Sequence, residues 1–290
     1  MSRESLAVTG STGQVGSEVV RCRPDTIQLT ARLDEDWTQL LTQLDSASPR
    51  RIINCAAYTQ VDQAESEPQR ATLINAQAPE QMARWCLENS ASLVHFSTDY
   101  VFAGTQQKPY QEHDQTCPSN RYGESKLAGE IAIQQAGAAS VIFRTSWVIG
   151  KHGHNFIKTI LRLGCERNHI RVVADQWGRP TSADLLAEAA LAVQIDPDGP
   201  PQLMHLTDSG APTTWFELAC YTLNRAHDYG YPGIDASAVE AVPTSAYPTA
   251  ARRPLNSLLD CSRFDQVVGL NRLPWRHTLD GVIAHYAQNW

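Results

Sequence analysis

Short apolar runs alternate with longer amphipathic segments over the first half of the chain, and this rhythm limits the fold more than any other feature of the sequence. Parallel strands must be joined by crossover connections, which are usually helices. A regular alternation of strand and helix therefore predicts an α/β protein of the Rossmann type, with a doubly wound parallel sheet. The predicted strands are residues 6–10, 26–31, 51–57, 92–98 and 140–146.

The segments between these runs carry helical periodicity. Met82, Trp85 and Cys86 recur at intervals of three and four residues, as one helix face packed on a sheet requires. The predicted helices of the first half are residues 13–22, 35–45, 68–90 and 122–136. The range 68–90 fits either two helices or one helix broken near Pro79.

After Ser146 the regular alternation ends, which indicates a second structural unit. The elements predicted there are helices over 155–167, 181–195 and 213–227 and strands over 170–174 and 204–208, followed from about 230 by a proline-rich, irregular stretch. We therefore predict a dinucleotide-binding Rossmann domain over residues 1–146, with returning segments near 181–225. A smaller C-terminal substrate-binding region would comprise 147–180 and 226–290, with the substrate held between the two units.

The composition is that of a globular chain and argues against several classes of partner. The chain has 290 residues, of which 42% are apolar, and a formal net charge of −7. An acidic chain lacks the basic footprint of a nucleic-acid-binding protein, so we expect no nucleic-acid partner. Seven cysteines without a C-x-x-C pair argue against a disulfide framework and a structural zinc site. No apolar run suits a signal peptide or a membrane span, and we expect a cytoplasmic protein.

A glycine-rich turn, Gly10, Gly13 and Gly16, follows the first predicted strand and opens the first predicted helix. Glycines at such a turn let the backbone approach a pyrophosphate, to which the helix N-terminus offers free N–H groups. The spacing is one residue longer at its first gap than the common Rossmann fingerprint, and an ordinary strand-to-helix turn is the alternative. Its position at the first strand favours dinucleotide binding.

The end of the second strand bears on the choice of nicotinamide cofactor. An acidic residue there suits the ribose of NADH, whereas an arginine suits the 2′-phosphate of NADPH. The strand ends near Thr30, with Arg32 and Asp34 just beyond it. We therefore predict NADPH with Arg32 as the phosphate partner, and NADH is the alternative if Asp34 points towards the adenosine.

Tyr122 and Lys126 stand four residues apart in a predicted helix, so they share one face. Reduction of a ketone by a nicotinamide needs a proton donor for the developing alkoxide, and a nearby cation can make a tyrosine acidic enough for that role. A hydroxyl at the end of the fourth strand, from Ser97 or Thr98, would complete the oxygen-binding site.

Each of these residues also has an ordinary structural interpretation. Tyr122 could be an aromatic residue at a helix start, Lys126 a solvated charge and Thr98 a cap at a strand end. Their joint occurrence with the glycine turn, in this order and on these elements, favours catalysis.

Longer strings in the same order resemble one family of the extended short-chain dehydrogenase/reductases, the dTDP-4-dehydrorhamnose reductases. These strings include STGQVGSE (11–18), HFSTDYVFAGT (95–105), YGESKLAGE (122–130), FRTSWVIG (143–150) and VPTSAYPTAARRPLNS (242–257). The resemblance implies reduction of the 4-keto group of a dTDP-linked deoxy-keto sugar to give dTDP-L-rhamnose. It implies Tyr122 as the proton donor, Lys126 as its partner and ribose contact, and Thr98 as the second hydroxyl.

The resemblance also implies contacts for the two ligands. For the cofactor these are Gly10, Gly13, Gln14, Val15, Gly16, Ala56, Ala57, Tyr58 and Asn75, in addition to Arg32, Asp34, Tyr122 and Lys126. For the substrate they are Asp99, Tyr100 and Trp147 near the sugar, and Arg253 and Asn256 near the nucleotide.

Some points stay open within the resemblance. Some members bind Mg²⁺ through glutamates across a homodimer interface; Glu18 matches one such position and Asp184 stands at a second, but no third is clear, so we assign no metal ligand. A homodimer is compatible with the resemblance. The rival functions are a non-catalytic regulatory subunit of the same fold, and a reductase or epimerase for another nucleotide-linked keto sugar.

Overall fold

A six-stranded parallel sheet forms the centre of the protein, whose computed structural model describes residues 4–34, 37–233 and 236–288. The strands in the described residues are β1 (Leu6–Thr9), β2 (Ile27–Leu29), β3 (Arg51–Asn54), β4 (Ser92–Thr98), β5 (Ser140–Thr145), β6 (Val148–Ile149), β7 (Ile170–Val173), β8 (Trp177–Gly178), β9 (Thr181–Ser182), β10 (Gln202–His205), β11 (Thr213–Thr214) and β12 (Val239–Val242). The central sheet has the order β10-β5-β4-β3-β1-β2. The chain leaves β1 for β2 on one side and returns to β3 on the other, so the ligand crevice of such a sheet is expected between β1 and β3. The predicted Rossmann-type fold is confirmed.

Several of the helices that connect these strands have recognisable caps. The α-helices in the described residues are α1 (Gln14–Cys22), α2 (Thr38–Ala47), α3 (Pro68–Thr72), α4 (Ala78–Glu88), α5 (Arg121–Ala136), α6 (Phe156–Glu166), α7 (Ala183–Ala192), α8 (Trp215–Asp228), α9 (Ser262–Val267) and α10 (Trp275–Gln288). Asn120 caps α5 by accepting from the backbone N–H of Gly123, and Gly137 ends that helix with φ 74°. Thr214 and Glu217 form a capping box at the start of α8. None of the described helices has the length and apolar character needed to cross a membrane.

Two hydrophobic clusters cover the two faces of the central sheet. On one face α1, α7 and α9 pack through residues such as Val19, Leu186 and Phe264. On the other face α2, α4 and α5 pack through residues such as Leu44, Met82 and Ile133. These faces are apolar because every strand of a parallel sheet is covered by helices on both sides.

A second region has its own apolar core, formed by α6, α8 and α10 with the two-stranded parallel sheet of β7 and β12. Strand β10 and helix α7 instead belong to the central sheet and its covering layer. The predicted division into a dinucleotide-binding domain and a substrate-binding region stays a prediction. The packing joins α8, which we had grouped with the first unit, to the core of the second region.

Several sequence predictions differ from the observed elements. Residues 35 and 36 of the second predicted helix lie outside the described residues. The range 68–90 forms α3 and α4 joined by a π-helical turn over Leu73–Gln77. The prediction of an irregular stretch after 230 is wrong, because this part contains β12, α9 and the 14-residue helix α10. Four buried residues mark the inner face of α10 at helical spacing, a signal that the preceding prolines obscured: Trp275, Leu279, Val282 and Ile283.

Candidate active site

The predicted site segments meet at one edge of the central sheet, where the parallel strands end. Gly10 follows β1, Ala56 follows β3, Thr98 ends β4 and Trp147 follows β5. Since β1, β3, β4 and β5 are parallel neighbours, their carboxyl ends lie at the same edge. Open α/β sheets bind their ligands at this edge.

The glycine turn is too tightly packed for larger side chains. Gly10 has φ 64°, a conformation that favours glycine, and a Cβ atom there would lie 2.8 Å from the backbone nitrogen of Ala56. A Cβ atom at Gly16 would lie 2.1 Å from the carbonyl oxygen of Gly10. Gly13 precedes α1 without a side-chain cap, so the first N–H groups of the helix stay available for a phosphate. This cradle fits the pyrophosphate of a dinucleotide.

Gln14 and Val15 form the first turn of α1 beside this cradle. The Gln14 side chain reaches the loop that precedes α6, where its amide donates to the carbonyl of His154 and accepts from Asn155. Val15 packs against the apolar cluster beneath the turn. The turn is thus held from both sides.

The segment after β3 is positioned by one buried amide. The backbone N–H of Tyr58 donates to Asn75 Oδ1 at 2.8 Å, and Asn75 Nδ2 donates to the Tyr58 carbonyl and to Ser125 Oγ. Asn75 is 1% exposed, so its amide holds the segment after β3 from the protein interior. Its predicted contact with the cofactor stays a prediction, as do those of Ala56, Ala57 and Tyr58.

Two arginines share one carboxylate beyond β2. Arg32 makes two hydrogen bonds to Asp34, and Arg70 of α3 makes a third at 2.8 Å. The hydrogen bonds from Arg32, with those from Arg70, lower the pKa of Asp34 to about 2. Sequence reasoning found Arg32 and Asp34 but missed Arg70, which lies 36 residues further on and has no motif of its own.

Thr98 and Asp99 form a compact polar turn at the end of β4. Thr98 Oγ1 donates to Asp99 Oδ1 at 3.1 Å and accepts from the backbone N–H of Tyr100. Asp99 is 3% exposed. Burial raises its pKa from an ordinary 3.8 to about 7, against the lowering effect of hydrogen bonds with Ser257 and Thr98. A buried carboxyl that titrates near neutral pH therefore lies beside the predicted catalytic hydroxyl.

Tyr122 lies next to this turn. Its ring contacts the ring of Tyr100 edge to face, with centroids 5.6 Å apart. Burial raises the pKa of Tyr122, whereas a hydrogen bond with Thr98 and the charge of Arg253 lower it. The structure thus brings Thr98 and Tyr122 together as predicted, and it adds Arg253 as a cation that acts on the phenol.

Lys126 lies one helical turn further along α5 and is 2% exposed. Its side-chain nitrogen, Nζ, lies 2.6 Å from the carbonyl oxygen of Phe96 and 3.1 Å from His95 Nε2. Burial lowers the pKa of Lys126 to about 8, although the nearby charge of Glu130 acts in the opposite direction. Sequence reasoning missed His95, a buried residue of β4.

A cavity of about 340 Å³ opens beside Tyr100 towards the second region. Its walls include Asp62 and Arg253 on one side and the apolar side chains of Phe156, Ile160 and Trp215 on the other. This volume lies within the range of small-molecule sites, roughly 300–1,000 Å³.

Two of the residues predicted for the substrate have distinct environments. Trp147 stacks on Trp215, which lines the cavity, at 3.7 Å between ring centroids, and holds a left-handed backbone with φ 49°. Asn256 is not among the described residues that line the cavity. Its side chain bonds the backbone of Gln106, Lys108 and Leu258, so it joins two loops. Its contact with the substrate stays a prediction.

Known proteins support the resemblance seen in the sequence. A family model described as the RmlD substrate binding domain matches residues 4–288. The dTDP-4-dehydrorhamnose reductase of Escherichia coli strain K12 is 42% identical over 285 residues, which cover 94% of this chain and 94% of that protein. The chain belongs to the dTDP-4-dehydrorhamnose reductase family.

Solved structures of proteins with this family name have the same fold. A dTDP-4-dehydrorhamnose reductase from Clostridium acetobutylicum superimposes with a TM-score of 0.86 at 29% identity, covering 96% of this chain and 98% of that one. The dTDP-4-dehydrorhamnose reductase from Bacillus anthracis, solved in complex with NADP, superimposes with a TM-score of 0.84 at 33% identity, covering 97% and 98%.

In this dTDP-4-dehydrorhamnose reductase family member, the two positions that the resemblance links to Mg²⁺ pair with basic side chains of the same chain. Glu18 pairs with Arg21 at 2.5 Å, and Asp184 pairs with Arg21 at 2.8 Å and with Lys151 at 3.7 Å. Within residues 4–34, 37–233 and 236–288, no group of three or more His, Cys, Asp or Glu side chains could hold a metal. Arg21 pairs with both carboxylates, whereas Glu18 Oε1 is buried without a hydrogen-bond partner among the described residues. We assign no reaction step to a metal.

Proposed function

We propose that this protein reduces the 4-keto group of dTDP-4-dehydro-L-rhamnose to give dTDP-L-rhamnose, with NADPH as the reductant. The observation that carries the proposal is the meeting of Thr98 and Tyr122 at the sheet edge, between the glycine cradle and the cavity lined by Arg253. Membership of the reductase family supports the choice of substrate.

The catalytic step assigned to the chain is a proton transfer. When bound, NADPH supplies a hydride to the ketone carbon. The Tyr122 hydroxyl donates its proton to the alkoxide oxygen that develops, and the Thr98 hydroxyl hydrogen-bonds the same oxygen. Arg253 favours the tyrosinate that remains, because its charge lowers the pKa of Tyr122. Lys126 is the partner of Tyr122 and the contact for the cofactor ribose.

The cavity suits the nucleotide end of the substrate. Phe156, Ile160 and Trp215 offer apolar and aromatic surface to a pyrimidine base, and Arg253 offers a guanidinium to the diphosphate. Arg253 pairs with Asp62 at 2.5 Å, so the diphosphate would exchange one anionic partner for another. Asp99, Tyr100 and Trp147 are proposed to border the sugar.

The preference for NADPH rests on the two guanidinium groups around Asp34. Arg32 and Arg70 are both oriented by this carboxylate, and together they offer two cations to a 2′-phosphate. NADH remains the alternative, because Asp34 itself can accept a hydrogen bond from an unmodified ribose. The sequence alone indicated Arg32 as a phosphate partner, and the structure adds Arg70.

A steady-state assay tests the proposed function. Purified protein with dTDP-4-dehydro-L-rhamnose is expected to oxidise one NADPH per sugar reduced, with a higher kcat/KM for NADPH than for NADH. Binding of NADPH without any oxidation, for every dTDP-linked keto sugar tried, would support the regulatory subunit instead. Conversion of a sugar without net oxidation of the cofactor would indicate an epimerase.

The raised pKa of Asp99 predicts a dependence of stability on pH. Its pKa rises from 3.8 to about 7 on folding, so the folded chain binds more protons than the unfolded chain between these values. The stability that the protonated Asp99 carboxyl contributes at low pH is therefore lost as the pH rises through this window. Asp99→Asn is expected to stabilise the protein at pH 8, by about 4 kcal/mol at most, and to have little effect at pH 4.

Chemical denaturation of both proteins at the two pH values measures this difference. Asp198→Asn, which changes a carboxylate in an exposed loop, is the matched control and should show no such pH-dependent gain. An equal change of stability at pH 4 and pH 8 would contradict the assignment.

We also propose a cytoplasmic location, which the composition and apolar runs of the sequence predict, and a homodimer, which rests on the family resemblance. The substrate and cofactor of the proposed reaction are water-soluble, which agrees with a cytoplasmic enzyme. Light scattering coupled to size-exclusion chromatography would measure the oligomeric state.

A further inference from the structure

A line of four buried polar side chains runs from the sheet interior to Lys126. Thr9 Oγ1 donates to Asn54 Oδ1 at 2.6 Å, Asn54 Nδ2 lies 3.0 Å from His95 Nδ1, and His95 Nε2 lies 3.1 Å from Lys126 Nζ. The four residues are between 1% and 3% exposed. Buried polar groups of this kind must satisfy one another, so the position of each proton along the line is constrained.

The orientation of the Asn54 amide follows from its neighbours. The backbone N–H of Ala56 points at Asn54 Oδ1 at 3.2 Å, and the Thr9 hydroxyl donates to the same atom. A flipped amide would direct its NH₂ group at the N–H of Ala56, and two donors would face each other. The oxygen of Asn54 therefore faces Ala56, and its NH₂ group faces His95.

This orientation selects one tautomer of His95. Nδ1 must accept from Asn54 Nδ2, so it carries no proton. Burial, together with the charge of Lys126, holds the pKa of His95 well below its ordinary value, so the ring is neutral. Its single proton is consequently on Nε2, the nitrogen that faces Lys126.

An ammonium group at Lys126 does not suit this arrangement. The Nε2–H of His95 would then face another N–H donor across 3.1 Å. A neutral amine resolves the conflict, because its lone pair accepts from His95 while one of its hydrogens is donated to the carbonyl of Phe96 at 2.6 Å. Desolvation acts in the same direction, since it disfavours the charged form of a buried lysine.

We propose that, at alkaline pH, Asn54 and His95 hold Lys126 as a neutral amine in the cofactor-free protein, and that cofactor binding draws Lys126 away from His95 and makes it take up one proton from solvent. His95 is thus a positioning residue, which acts through Lys126. The second half of this inference rests on the proposed function, because it uses the ribose contact of Lys126.

The other charges near Lys126 are accounted for. Glu130, on the same helix, favours the ammonium form. That carboxylate is itself held by the guanidinium of Arg144 from β5 at 2.7 Å and by the hydroxyl of Ser97 from β4. The negative charge that opposes the neutral amine is therefore compensated locally.

Nitrogen NMR of the cofactor-free protein at pH 9 tests the first half directly. Two-bond ¹H–¹⁵N correlation of ¹⁵N-histidine protein is expected to show His95 as the Nε2–H tautomer, with its signals assigned by their loss in His95→Gln. In Asn54→Asp a carboxylate replaces the amide NH₂ group, so the His95 proton is expected on Nδ1, with Nε2 free to accept from a charged Lys126. An Nδ1–H tautomer in the unaltered protein would overturn the proposal.

Proton uptake on NADPH binding tests the second half without any turnover. Calorimetric titrations in two buffers of different ionisation enthalpy report the number of protons taken up. Because the pKa of Lys126 is lowered to about 8, we expect uptake approaching one proton at pH 9 and much less at pH 7, where most of the lysine is already charged. Asn54→Asp is expected to lower the uptake at pH 9, because its lysine is already charged.

The outcomes separate this inference from the proposed function. Binding of NADPH without proton uptake at pH 9 would overturn the coupling. A failure to bind NADPH at all would contradict the proposed function, and the tautomer measurement would still decide the state of Lys126 in the cofactor-free protein.

Discussion

Replacing Tyr122 by phenylalanine is expected to lower kcat by about 100- to 10,000-fold, the range typical of general acid catalysis, with little change in the Kd for NADPH. The substitution removes one hydroxyl and keeps the ring. The edge-to-face contact with Tyr100, at 5.6 Å between centroids, is therefore preserved, and so is the fold around it. Rapid-quench measurement of a single turnover, with NADPH affinity from fluorescence titration, separates chemistry from binding.

Tyr100→Phe is the matched control for this experiment. It removes a neighbouring phenol hydroxyl that lies 3.2 Å from Arg253 and leaves the proposed proton donor in place. We expect this variant to raise KM for the sugar nucleotide more than it lowers kcat. Equal losses of kcat in the two variants, or loss of NADPH binding together with kcat in Tyr122→Phe, would contradict a proton-donor role for Tyr122.

Replacing Arg144 by methionine is expected to lower the free energy of unfolding by about 3–5 kcal/mol, the typical effect of removing one partner of a buried ion pair. Arg144 on β5 and Glu130 on α5 form hydrogen bonds of 2.7 and 2.9 Å and are 3% and 2% exposed. Without the guanidinium, the Glu130 carboxylate would remain buried and would keep its hydrogen bond from the Ser97 hydroxyl but lose its ion pair with Arg144. Urea denaturation at pH 7 measures the difference.

Arg162→Met is the control, because it breaks a similar contact at the surface. Arg162 and Glu166 lie four residues apart on α6 at 2.7 Å, with side chains 57% and 52% exposed. Exposed pairs of this kind contribute only about 0.3–0.5 kcal/mol. If both methionine variants lost the same stability, the effect could not be attributed to a buried charge. A double variant, Glu130→Met with Arg144→Met, should recover much of the loss, since it removes the stranded carboxylate.

The strands of the central sheet could be predicted because each one is marked by a pattern of residues that are adjacent in the chain. The five strands of the first half begin and end within a few residues of the predicted ranges, and 92–98 agrees with the observed β4. The glycine-rich turn that begins at Gly10 was likewise visible as a short pattern. Each of these features depends on residues that are close together in the chain.

The second region was less predictable because its pairings are distant. The strand predicted at 170–174 exists as β7, but its partner is β12, so it forms a separate small sheet. Helix α10 follows a proline-rich stretch, whose composition predicts irregular chain and conceals the helix. Propensity and periodicity describe one segment at a time, and they do not report which segments meet.

The sequence by itself determined the Rossmann fold and the family, and it predicted the glycine cradle and the catalytic set Thr98, Tyr122 and Lys126, because spacing and order along the chain carry this information. Only the tertiary structure decided what surrounds them. It brought Arg253 to Tyr122, Arg70 to Asp34 and His95 to Lys126. Charge, burial and proton positions depend on such contacts through space, since the energy of a charged group is set by its neighbours and its exposure to water.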